Sequence, residues 1–149
     1  MDKTPVDIDQ EAILLFHDLA EQRDNYARND EKSGFTVSSE FRHRFFSLLD
    51  ALNLRLIDDR DNFFGYFLFQ ADRDLRFQLD SPTGTTFKNG RYTLYFNPYL
   101  FLQLTAEQME SAVKHEVLHI LSLHPLRAKD LKKQFSPLAI DLAMDIVVN

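Results

Sequence analysis

Lys114 to Pro125 read KHEVLHILSLHP, and taking this stretch as a helix fixes how the rest of the chain is read. His115 and His119 are four residues apart, so on a helix they lie one above the other and can turn both imidazoles to one metal ion. Glu116 stands about 100° round from His115, beside such an ion rather than on it, where its carboxylate can take a proton from a water activated by the metal. Helix signals flank the motif independently of it. Thr105 with Gln108 makes a capping box, Glu107 and Glu110 favour the first turns, and Met109, Ala112, Val113 and Ile120 form an apolar stripe. A rival reading is a core helix whose imidazoles bond to backbone. It places two His and a Glu against a buried stripe, which is costly unless something satisfies them.

The wider composition limits the chemistry. A chain of 149 residues, 44% hydrophobic and 27% charged, suits a single globular domain over 1–149 with a sizeable core. A net charge of -6 argues against a nucleic-acid partner; the one local basic cluster, Lys129, Lys132 and Lys133, reads as a solvated face. Cysteine is absent, so there is no disulfide framework or thiol nucleophile, and a metal must be held by His and carboxylates. The amino terminus, MDKTPVDIDQ, lacks the apolar core of a leader, and no apolar run approaches the roughly 20 residues of a membrane span. The expected location is the cytoplasm, without membrane attachment.

Ahead of the motif, Ile8, Ala12, Leu15, Leu19 and Tyr26 recur at helical spacing, which predicts a helix over about 9–27 with Asp9 as N-cap. A second helix starts at Ser38 or Ser39 and buries Phe41, Phe45, Leu48, Leu52 and Leu56, a stripe that reads as core packed on a sheet. His17 and His43 on these helices have no carboxylate at ligand spacing and read as structural or exposed. After Asp61 the pattern changes. NFFGYFLF at 62–69, the alternation of Leu75, Phe77 and Leu79 with Arg76 and Gln78, and Arg91 to Phe96 all predict strands. Turns fall at Ser81 to Gly84 and at Lys88-Asn89-Gly90, and Asn97-Pro98 closes the last strand. The middle of the chain thus predicts a small, mostly antiparallel sheet. Its strand 91–96 is expected beside the motif helix, with an edge open to an extended substrate.

Beyond the motif, Pro125 makes His124 a helix terminus, and Ser136-Pro137 starts a final helix carrying Ile140, Ala143, Met144 and Val147 on one side and Asp141 and Asp145 on another. That helix has no stop signal before Asn149, as expected if the chain is the amino-terminal part of a longer protein or if its last helix frays.

Four separated elements then carry a resemblance over about 63–149: FFGY at 63–66, YFNP at 95–98, HEVLHILSLHPLR at 115–127 and DLAMDIVVN at 141–149. In their order and spacing the chain resembles the amino-terminal metallopeptidase domain of a bacterial family described as VWA-like. The positions matching the family's further His and Arg, and its Asp followed by Asn, are His124, Arg127, Asp145 and Asn149. Asp141 departs from the Asn often found there and adds a second carboxylate. The resemblance implies a zinc-peptidase-like fold.

Together these readings predict an α+β, zincin-like domain: amino-terminal helices, a small mostly antiparallel sheet, the motif helix and a final helix. The expected activity is zinc-dependent hydrolysis of peptide or protein substrates, with His115 and His119 on the metal and Glu116 as general base. The third ligand is expected to be Asp145, with His124 and Asp141 as alternatives; His124 reaches the metal only if the chain turns sharply after His119, whereas Asp145 arrives on a separate helix. Asp141 suits orientation of a ligand imidazole through its second N–H. Arg127 or a Tyr of the sheet is the expected oxyanion donor, Arg127 also fitting a structural pair with Asp130. The rival from another class is a zinc-stabilised, catalytically inactive protein-interaction module.

Overall fold

The computed structural model describes residues 6–29, 34–58 and 62–123. His124, Arg127, Asp130, Asp141, Asp145 and the expected final helix lie outside the described residues.

Helix α1 (Ile8–Arg28) buries Ile8, Ala12, Leu15 and Leu19 on one face. Its N-cap is Asp7, whose side chain accepts from the Gln10 N–H at 3.2 Å, and not the expected Asp9. Asp9 instead accepts from the backbone N–H of Ala106 at 2.7 Å, tying α1 to an element nearly a hundred residues later. Helix α2 (Ser39–Asp58) is capped by Ser38, whose hydroxyl accepts from the Phe41 N–H. The expected stripe of Phe41, Phe45, Leu48, Leu52 and Leu56 is fully buried. Phe45 touches Phe96 and Phe101 edge-on at ring separations of 6.1 and 5.9 Å, so α2 packs across the sheet and the helix that follows it.

The predicted strand at 62–69 is a helix, α3 (Asn62–Gln70). A continuous apolar run of this length carries no period of its own, and Phe-rich composition favours a strand in isolation. Packing decides it. Phe64, Phe67 and Leu68 are buried at helical spacing, while Tyr66 and Phe69 are 53% and 50% exposed. Gly65 lets α3 lie against α2: a Cβ there would stand 2.4 Å from Ile57 Cγ1 and 2.9 Å from the Asn53 carbonyl oxygen.

The sheet holds β1 (Asp72–Leu75), β2 (Thr83–Lys88) and β3 (Arg91–Phe96) in the order β1-β3-β2. It is mixed, not mostly antiparallel, because β1 runs parallel to β3 and β2 antiparallel. The strand expected through Leu79 stops at Leu75, since Asn97 Nδ2 donates to the carbonyls of Phe77 and Leu79 and holds that segment in a turn. The expected turn at Ser81 to Gly84 is cut short by β2, which starts at Thr83. The Asn89-Gly90 turn is where the sequence places it, with φ of 56° and 76°, as a two-residue hairpin loop requires. One expectation fails outright: β3 is the central strand, paired on both sides, and has no edge for a substrate. The outer strand on the side of the motif helix is β2.

Asn97 caps α4 (Pro98–Phe101), accepting from the Tyr99 N–H, and α5 (Ala106–Leu123) follows. The capping box forms in both directions, Gln108 N–H to Thr105 Oγ1 and Thr105 N–H to Gln108 Oε1. Among the described residues the fold is α+β, five helices around a three-stranded sheet. No described helix is long and apolar enough to cross a membrane.

Candidate functional site

Helix α5 divides its residues between two environments. Ala106, Met109, Val113, Val117 and Ile120 recur at three- and four-residue steps and are buried in the core. The opposite side, through Gln108, Ser111, Ala112, His115, Glu116 and His119, lines a groove of about 1110 Å³ whose other wall is β2. Three contacts hold that orientation. Asp9 receives the Ala106 N–H, Glu110 pairs with Arg55 of α2 at 2.8 Å, and the Lys114 ammonium stands 5.8 Å from the Phe64 ring centre. Rotating α5 about its axis would break all three while exposing its apolar face.

His115 and His119 are exposed in this groove with their rings 6.3 Å apart, centre to centre, and within 13° of parallel. Rotation about χ1 and χ2 can bring one nitrogen of each to a common ion, which tetrahedral zinc takes at about 2.0–2.1 Å. The described residues contain no group of three side chains able to hold a metal. Two imidazoles nonetheless fit zinc in donor type, and the positions expected for a third ligand, Asp145, His124 and Asp141, all fall outside the described residues.

Glu116 is half-buried, and its Oε2 accepts from the hydroxyl of Thr83 at 3.1 Å. Thr83 is 8% exposed, the first residue of β2, and its own carbonyl accepts from the Ser81 hydroxyl at 2.6 Å. The Thr83 hydroxyl thus fixes one carboxylate oxygen of Glu116 against the start of β2, where the Ser81 hydroxyl separately holds the Thr83 backbone carbonyl. Sequence reading did not find Thr83. The contact joins residues 33 apart, and a threonine opening a short strand carries no local mark of it. Of the oxyanion donors considered, Arg127 is outside the described residues, and the sheet tyrosines Tyr92 and Tyr95 do not line the groove. His17 and His43 are both exposed and away from it.

Comparison with known proteins bears on the part of the chain that forms the site. A family model described as "Putative metallopeptidase domain" matches residues 53–149. No curated protein and no solved structure matches the chain.

Proposed function

We propose, from the premise that this chain belongs to the family described as a putative metallopeptidase domain, that it is a zincin-like hydrolase of peptide bonds whose centre lies on the groove face of α5. The observation that carries the reading is the convergence of His115, Glu116 and His119 on one open groove whose far wall is β2, the outer strand of the sheet among the described residues. His115 and His119 would hold zinc, with Asp145 as third ligand and Asp141 or His124 as the alternatives. When bound, zinc supplies a Lewis acid for the scissile carbonyl and acidifies water to a pKa near 7. Glu116 accepts a proton from the attacking water and returns it to the leaving amine. Thr83 keeps that carboxylate facing the groove. A module that only binds a partner has no need of a carboxylate held beside paired imidazoles, which favours catalysis over a purely structural metal.

Glu116→Gln tests the reading. The amide is nearly isosteric and keeps a bond to Thr83 but cannot take a proton, so zinc content and melting temperature are expected to stay at wild-type values. Hydrolysis of an unstructured protein such as casein is expected to fall at least about a hundredfold. Equal hydrolysis by the two proteins would remove Glu116 from the chemistry.

A further inference from the structure

We infer that the cavity between α1 and the α4–α5 connection is a remote subsite of the groove, taking one apolar side chain of a substrate peptide about four to five residues from the bond that is cut. The inference deepens the hydrolase reading above and rests on it. Ile13 and Phe16 of α1, with Leu102 and Leu104 of the connection, wall a cavity of about 460 Å³. Leu104 also lines the groove that holds His115, Glu116 and His119, so the two spaces meet at its side chain. Helix α1 precedes the stretch matched by the family model, which begins at residue 53. The wall that α1 supplies is thus no part of what the family match covers, and its selectivity belongs to this chain.

The polar groups around the cavity are already engaged. Asp9 accepts from the Ala106 N–H at 2.7 Å, the Thr105 hydroxyl accepts from the Gln108 N–H at 3.2 Å, and Gln103 Nε2 donates to the Tyr99 carbonyl at 2.7 Å. These bonds hold the walls in place with no occupant present, and no Lys or Arg stands among the lining residues. What remains to be covered is carbon. Ile13 is 58% exposed, and Phe16 and Leu104 are half-buried, so their apolar surface meets water until a Leu, Met or Phe side chain displaces it. From His115 back to Ala106 the helix spans about 14 Å, and Leu104 lies just before Ala106. An extended chain advances about 3.3–3.6 Å per residue, which sets the offset between the cut bond and the anchored side chain. A contact so far from the reacting atoms is the same in the ground state and the transition state. It therefore lowers KM and leaves kcat alone.

The test uses the full, zinc-loaded chain and fluorescein-labelled peptides of Ala, Ser and Thr that carry one Leu at successive positions. Cuts mapped by mass spectrometry are expected to move with the Leu, at a fixed offset of about four to five residues. Against the Leu-free peptide, KM is expected to fall about tenfold with kcat unchanged. In Ile13→Asp both the fixed offset and the KM advantage are expected to vanish, and in Ile13→Leu, which keeps the wall apolar, both are expected to remain. Cuts that ignore the Leu, a Lys preferred in its place, or an advantage that survives Ile13→Asp would overturn the subsite while leaving the hydrolase reading standing. If the wild type cuts none of the peptides, fluorescence anisotropy with the zinc-loaded Glu116→Gln protein decides. Binding that depends on both the Leu and Ile13 keeps the cavity as a peptide site and turns against the hydrolase reading alone; binding indifferent to both removes the subsite.

Discussion

At the scale of single residues, the parts of this protein visible in its sequence are those whose partners are near in the chain. Thr105 and Gln108 form their reciprocal cap, Ser38 caps α2, and Asn89-Gly90 turns the hairpin, each through a contact within three residues. Three residues whose work is done at long range were misread or missed: Asp9 caps α5, Thr83 holds Glu116, and Gly65 seats α3 on α2. Gly65 gives the sharpest test of packing. In Gly65→Ala the new Cβ would press on a backbone oxygen at 2.9 Å as well as on Ile57, and backbone cannot rotate aside as a side chain can. The helical gain of Ala over Gly, about 1 kcal/mol, is outweighed by overpacking of about 1–3 kcal/mol with a main-chain clash added. Urea melts are expected to show Gly65→Ala less stable than the wild type; equal or greater stability would mean that α3 does not lie this close to α2.

At the scale of elements, amphipathic period was a sound guide and composition was not. Helices α1, α2 and α5 carry long stripes, and most of the residues the period picks out are buried; the exceptions are Tyr26, which is half-buried, and Ala112, which lies on the groove side of α5. The run at 62–69 is apolar on all sides, so nothing in it separates a strand from a buried helix, and its contact with α2 settles the matter. The parallel pairing of β1 with β3 was equally hidden, because it depends on α2 and α3 covering the sheet and on Asn97 pinning the turn at Phe77 and Leu79. Element docking also has a measurable link in Asp9, whose carboxylate meets the positive end of α5. Asp9→Ala is expected to cost about 0.5–1 kcal/mol and to speed amide exchange in the first turn of α5, whereas Asp9→Asn, which keeps an acceptor, is expected to retain most of the stability. If Asp9→Ala instead loosens only the start of α1, Asp9 is the local cap that the sequence suggested and the link to α5 does not exist.

For the molecule as a whole, two amino-terminal helices and α3 build the core against which α5 is oriented, and the sheet supplies the strand that faces its polar side. The family match begins at Asn53 and runs to Asn149, so it takes in the end of α2, α3, the sheet and α5, but not α1. Helix α1 contributes to the placement of the motif helix through the Asp9 contact and the core the two helices share. The central claim is that this arrangement presents His115 and His119 to a catalytic zinc ion. Zinc content of the purified, dialysed chain is its most direct measurement, read for the wild type and for His115→Ala, His119→Ala and Asp145→Ala. The account expects about one zinc per chain in the wild type, loss in each His variant with helical content retained, and markedly weaker retention in Asp145→Ala. A wild-type protein that takes up no zinc, or one whose zinc survives both His substitutions, would contradict it.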